Sequence, residues 1–225
     1  MDYVQAFTQE ARKFFHVRRT KFRKQARTNI EASWHRKWRM LGSGFYGEAW
    51  AHEDYEDLVI KISGPAGWGY SYMGAVQSAM HDDESEPRDD VWPDYAEFCM
   101  ANPHPSLLRV HHIERVSMMA WAVLPRYEPN YGGMDRDALQ IREALYGQRQ
   151  AEYWMLPLLS IARGRNVSID LHSENVMRDP ETGNCVITDP FSTTGYGYGA
   201  TQCSDFDDEY LTEDLTDDEE DEDAD

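Results

Sequence analysis

Four groups of residues have types and spacings suited to chemistry on a phosphate ester. In Gly42-x-Gly44-x-x-Gly47 three glycines let backbone amides approach phosphate oxygens with no Cβ in the way, although such a loop standing alone is more often only a turn. Lys61 follows Val59-Ile60 on an apolar run. Pointing inward, it needs an anionic partner such as a phosphate; pointing to water, it is an ordinary edge-strand lysine. Asp170 and Asn175 lie five apart in Ile169-Asp170-Leu171-His172-Ser173-Glu174-Asn175. A carboxylate there can orient an attacking hydroxyl and accept its proton, while the amide oxygen can bind a metal. Asp189 ends the apolar run Cys185-Val186-Ile187-Thr188, and a hard oxygen at a strand end suits magnesium. Each of these acids and amides alone also suits a turn or a helix cap.

Together the four are far more specific than any one. Glycine loop, strand lysine, D-x-x-x-x-N and strand-end aspartate follow the protein-kinase order with suitable gaps. The strings Leu41-Gly42-Ser43-Gly44-Phe45-Tyr46-Gly47, Val59-Ile60-Lys61, Ile169 to Met177 and Ile187-Thr188-Asp189-Pro190 resemble those of the early serine/threonine protein kinase of short-tailed lytic bacteriophages, over about residues 39–195. The resemblance implies ATP and magnesium as cofactors. It implies phosphorylation of host proteins, including transcription and RNA-processing machinery, with shut-off of host transcription. Carried onto this chain, Gly42, Ser43, Gly44 and Gly47 would cover the nucleotide phosphates, and Lys61 would hold the α/β-phosphates. Asp189 and Asn175 would hold magnesium, Asp170 would orient the acceptor hydroxyl, and a protonated His172 would stabilise the γ-phosphoryl group. A hinge through Leu124-Pro125-Arg126-Tyr127-Glu128 follows from order alone.

The chain departs from the protein-kinase pattern at several points. Ser168 and Ile169 stand where His and Arg are usual, and His172 replaces the catalytic-loop lysine, as in small-molecule phosphotransferases of the aminoglycoside and choline kinase type. Pro190 and Phe191 occupy the places of Phe and Gly in D-F-G. Glu97 is the best candidate for the helix glutamate that pairs with Lys61. Only 36 residues follow Asp189, 21 of them an acidic tail, so the large helical platform for peptide substrates is expected to be missing.

The elements that must position these groups are legible in outline. Two β-runs around the glycine turn predict a hairpin, followed by a strand at Leu58–Ile62. Residues 64–90 are glycine-rich and then acidic and read as a flexible insertion. Tyr95–Met100 predicts a short helix, and Leu107–Ile113 and Met118–Leu124 predict two more strands, giving a sheet of about five. The period then changes: Asp135–Tyr146 and Ala151–Arg163 have helical spacing. Val167–Ile169 forms a short strand or a strained turn, and Asp179-Pro180-Glu181-Thr182-Gly183-Asn184 turns a hairpin between Val176-Met177 and Cys185–Ile187. The expected fold class is α+β, a two-lobed protein-kinase-like fold with a reduced C-terminal lobe. Its expected parts are a basic amphipathic helix (1–38), an N-lobe (39–128), a reduced C-lobe (129–204) and a disordered acidic tail (205–225).

Composition bounds the alternatives. The chain has 225 residues, 41% hydrophobic and 28% charged, with no apolar run long enough to cross a bilayer and no apolar leader, so a soluble cytoplasmic protein is expected, in the host cell if of phage origin. Cys99, Cys185 and Cys203 are odd in number and widely spaced, which disfavours a disulfide framework or zinc site. Charge is polarised: +8 over residues 1–40, −13 over 41–204 and −14 over 205–225. The first helix, with Val4, Phe7, Ala11, Phe14 and Phe15 at 3–4 spacing, either binds nucleic acid or an acidic surface or packs its Phe face on the body. The tail, with Phe206, Tyr210, Leu211 and Leu215 among fourteen acids, either solubilises the chain, pairs with the basic helix or mimics a phosphate backbone; Thr212 and Thr216 within it are candidate phosphorylation sites. Two alternatives to a protein kinase stay open: a degenerate kinase fold whose tail inhibits a nucleic-acid-binding protein, and a small-molecule phosphotransferase.

Overall fold

The computed structural model describes residues 2–24, 37–44, 47–64, 91–164, 167–171 and 175–192. The insertion at 65–90, His172 and the acidic tail with its anchors and threonines lie outside the described residues. The chain is a mixed α/β structure built on an antiparallel sheet of five strands: β1 (Trp38–Ser43), β2 (Gly47–His52), β3 (Tyr55–Ser63), β4 (His112–Val116) and β5 (Met119–Pro125). Their spatial order is β1-β2-β3-β5-β4. Strand β4 begins later than the expected Leu107–Ile113. Residues 107–111 instead run over the sheet's end, where Leu107 bridges Ile187.

Both faces of this sheet are covered, which explains the uninterrupted apolar run of β5. Side chains alternate along a strand. Leu58, Ile60 and Ile62 of β3, with Met119, Trp121 and Val123 of β5, face helix α1 (Tyr3–Lys24). That helix buries Phe7, Ala11, Phe14 and Phe15 on them, and Phe14 stacks on Trp38 at 4.3 Å. The Phe stripe of the basic helix is therefore core. The opposite face, with Val59, Ala122 and Leu124, packs on α2 (Trp92–Ala101) and on the second half of the chain. Pro93, at the start of α2, needs no N–H donor there and presets the helical φ.

The second half contains α3 (Arg136–Leu145), a 3-10 turn at Tyr153–Met155, α4 (Leu156–Gly164), β6 (Glu128–Pro129), β7 (Ser168–Ile169), β8 (Val176–Arg178), β9 (Cys185–Ile187) and β10 (Phe191–Ser192). The β8–β9 hairpin closes at Gly183, whose φ of 75° suits glycine, and β6 pairs on its outer side. Asp135 caps α3 by accepting from the Ala138 N–H at 2.9 Å, and its other oxygen accepts from the Cys185 N–H at 2.6 Å. One carboxylate thus ties α3 to β9. Burial alone would raise its pKa, but these backbone donors outweigh burial and lower it. Cys99 and Cys185 are buried free thiols. Burial pushes Cys99 up to about 12, so it remains a protonated core residue.

Candidate active site

Lys61 lies on the face of β3 shared with Val59, opposite the α1 side. Its cross-strand neighbours are Ala49 on β2 and Ala122 on β5, two small residues that leave room for its long stem. The ammonium reaches the end of β9, where Nζ stands 2.8 Å from Oδ2 of Asp189 across 128 residues of sequence. The same Nζ sits 4.3 Å above the centre of the Trp92 ring. Of its two possible directions, Lys61 takes the inward one, with Asp189 as its anionic partner.

The strand end carrying Asp189 is fixed from several sides. The Tyr95 hydroxyl donates to the Ile187 carbonyl at 2.7 Å, and the Ile187 N–H donates to the Ser106 carbonyl at 3.0 Å. The Trp92 indole N–H donates to the Thr188 carbonyl at 3.0 Å. The Thr188 N–H and hydroxyl both donate to the Asn175 carbonyl, at 2.8 and 3.1 Å. Beyond Asp189 the chain turns into β10, which pairs with β7. There the Asp170 N–H donates to the Pro190 carbonyl at 2.8 Å, and Phe191 is buried with its ring edge-on to Tyr95 at 6.1 Å. The Asp-Pro-Phe segment thus joins α2 to β7 and to Asp170 directly after it.

Asp170 and Asn175 are joined directly: the Asn175 side-chain N–H donates to the Asp170 carbonyl at 2.6 Å. That bond uses one of the two amide N–H groups, and the oxygen of an amide is the end a hard cation takes. Among the described residues no three of His, Cys, Asp or Glu group as a closed metal cage. Asp189 with Asn175 offers one carboxylate and one amide oxygen. That donor set fits a magnesium ion completing its shell with phosphate and water oxygens.

The glycines divide by role. A Cβ on Gly47 would meet the Ile62 carbonyl at 2.9 Å, so β2 lies against β3 only because that residue is glycine. Gly42 and Gly44 have open space where a Cβ would stand. The Gly44 N–H donates to the Gly47 carbonyl at 2.8 Å and closes the turn, next to the exposed Ser43.

One expected pairing is absent. Glu97 is exposed on α2, and its carboxylate accepts from Arg115 of β4 at 2.6 and 2.8 Å, alongside Asp94. Tyr95, Ala96, Phe98 and Cys99 fill the inward face of α2, so Glu97 points outward and Lys61 pairs with Asp189 instead. Two residues at the site were not anticipated, Trp92 and Thr188. Pro93, a common first helical residue, was the available signal that α2 begins a turn before Tyr95 and carries Trp92 with it.

No protein-family model and no curated protein matches the chain. Among solved structures it is similar to a double mutant of the PknI kinase domain of Mycobacterium tuberculosis. The identity is 16% and the TM-score 0.32, covering 67% of this chain and 56% of that one. The chain spans little more than half the length of that kinase domain.

Proposed function

We propose that this chain is a two-lobed, ATP- and magnesium-dependent phosphotransferase of the protein-kinase type, acting on serine and threonine of host proteins as the phage enzyme it resembles does. The observation that carries the reading is the meeting of Lys61 and Asp189 at 2.8 Å beside the hydrogen-bonded pair Asp170–Asn175. Three stretches of sequence, at Lys61, Asp170–Asn175 and Asp189, supply the charge and donor types of phosphoryl transfer, and the Thr188 bonds to the Asn175 carbonyl tie the last two together.

In this reading the exposed backbone around Gly42, Ser43 and Gly44 covers the phosphates, and Gly47 keeps that turn flat against β3. Lys61 exchanges the Asp189 carboxylate for phosphate oxygens, and its inward seat between Ala49 and Ala122 holds the charge where the nucleotide enters. Magnesium, when bound, offsets charge on the phosphates. Asp189 and Asn175 are the residues that would hold it, released and oriented by Thr188 and by the Asp170 carbonyl. Asp170 orients the acceptor hydroxyl and takes its proton. Catalysis of this kind rests on positioning and electrostatics more than on covalent chemistry. His172, in the place of the usual lysine, is the residue that the resemblance assigns to the transferred phosphoryl group.

The test is transfer from γ-labelled ATP with magnesium to host-cell proteins, to a panel of small alcohols and amines, and to the chain itself. Wild type is compared with Lys61→Ala, Asp170→Ala and Asp189→Ala. Label on proteins that disappears in all three variants supports the protein-kinase reading. Label on small molecules instead selects the aminoglycoside- or choline-kinase type. Nucleotide binding with no transfer sinks the enzyme reading and leaves a binding protein, for which loss of a nucleic-acid-binding partner on deleting 205–225 is the matching result.

A further inference from the structure

We propose that Trp92 is the positioning residue of Lys61, taking over with a neutral aromatic face the task for which a helix glutamate was expected. The proposal rests on the phosphotransfer reading for its purpose, but its geometry stands independently. The only acid of the expected helix segment Tyr95–Met100, Glu97, is turned outward and held by Arg115. What α2 offers Lys61 is the ring of Trp92, with the ammonium 4.3 Å from its centroid. An ammonium over an indole face is attracted by the ring quadrupole, most strongly where water is excluded. Here Trp92 is only 2% exposed and the Lys61 side chain 19%.

The indole does more than face the cation. Its N–H donates to the Thr188 carbonyl at 3.0 Å, one residue before Asp189. Lys61, Trp92, Thr188 and Asp189 therefore form a closed circuit: cation to ring, ring to backbone, backbone to carboxylate, carboxylate to cation. One rigid side chain thus sets the height of the lysine and the position of the strand end that carries Asp189. The substitution of ring for carboxylate has a consequence. A glutamate would remain paired with Lys61 and cancel part of its charge. An aromatic ring holds the ammonium without neutralising it, so once Asp189 is drawn to a metal the whole charge of Lys61 faces the phosphates. A site lacking the usual glutamate can in this way keep its lysine aimed.

The experiment uses the full chain. MgATP affinity is measured calorimetrically for wild type, Trp92→Phe, Trp92→Leu, Lys61→Met and the Trp92→Leu/Lys61→Met double variant. Expected are a loss of about threefold for Trp92→Phe, which keeps a ring face but gives up the N–H bond to Thr188, and a loss of about tenfold for Trp92→Leu, which gives up both. In the Lys61→Met background the loss from Trp92→Leu should shrink to that of the N–H bond alone, about threefold, because the ring face acts through the lysine. Equal losses in both backgrounds, or Phe as damaging as Leu, overturn the proposal. A second readout needs neither nucleotide nor a folded Leu variant. In chain labelled with 5-fluorotryptophan, the fluorine resonance missing from Trp92→Phe is that of Trp92. That resonance should shift in Lys61→Met more than any other tryptophan signal, and an unmoved signal refutes the contact. If wild type fails to bind MgATP, the phosphotransfer reading falls, and the fluorine measurement still decides whether Trp92 positions Lys61.

Discussion

At the scale of single residues, the glycines offer a separation of folding from binding. Gly47 is required by contact: a methyl group there would stand 2.9 Å from the Ile62 carbonyl, and the neighbour is backbone that cannot swing aside. Gly47→Ala should therefore destabilise the chain by about 1–3 kcal/mol, read from urea unfolding. Gly42→Ala and Gly44→Ala meet nothing within 4 Å and should leave the unfolding midpoint nearly unchanged. If the loop covers phosphates, those two variants should weaken MgATP binding all the same, which calorimetry measures. Histidines make a second residue-scale case. Burial lowers the pKa of His52, His111 and His112, and the His52 ring accepts the Asp54 N–H at 3.2 Å through Nδ1. A depressed histidine takes up its proton more readily unfolded than folded. The stability it contributes is complete above the ordinary value of 6.5 and is lost as pH falls from there through the folded-state value. Calorimetric scans should show Tm falling between pH 7 and pH 5, with a shallower slope in His52→Gln; an equal slope would remove His52 from the account.

At the scale of elements, the turn joining β4 to β5 carries visible strain. Ser117 has φ of 63°, a conformation that glycine adopts freely and a side-chain residue does not. Ser117→Gly should stabilise the chain by about 1 kcal/mol, seen as a higher midpoint with an unchanged denaturant slope. The same turn explains why β4 lies later than its expected place at Leu107–Ile113. Ser117-Met118 has none of the Asn-Gly chemistry that marks a two-residue hairpin, so the apolar Leu107–Ile113 looked the better strand. The turn with a proper signal, Asp179 to Asn184 with Gly183 at positive φ, falls where expected between β8 and β9. The period-2 run of β3 and the 3.6-period run of α3 were legible for the same reason, since each buries one face. Of the two-residue strands, β7 falls within the expected Val167–Ile169, whereas β6 and β10 have no signal in the sequence. Two residues carry no period, and their pairing is decided by which segment the rest of the fold brings alongside. Lys61 illustrates the limit within the site. Its need for an anion was readable from its apolar neighbours, whereas the choice of Asp189 over Glu97 depended on which face of α2 the core claims.

At the scale of the whole molecule, the first helix is structural before it is anything else. It closes the sheet face opposite the candidate site, so stability there passes through to the strands that hold Lys61 and the glycine turn. The connection is specific at Arg18. Its guanidinium donates to both oxygens of Glu48, at 2.5 and 2.7 Å, and lies 5.0 Å from the Trp50 ring, whose own N–H donates to the same carboxylate at 2.9 Å. Glu48 follows Gly47 directly, and its side chain is 1% exposed. A buried carboxylate stripped of its cation is far costlier than a missing pair, because the desolvation remains while the attraction is gone. Arg18→Met should accordingly destabilise the chain by about 3–5 kcal/mol. Adding Glu48→Gln removes the stranded charge and keeps a partner for the Trp50 N–H, so the double variant should recover more than half of that loss. Urea unfolding of the four proteins gives the coupling directly. Additive losses would mean that the basic helix rests on its phenylalanines alone. Strong non-additivity would make Arg18 a clamp on the first residue beyond the glycine turn, and would tie the charge of the amino-terminal arm to the geometry of the site.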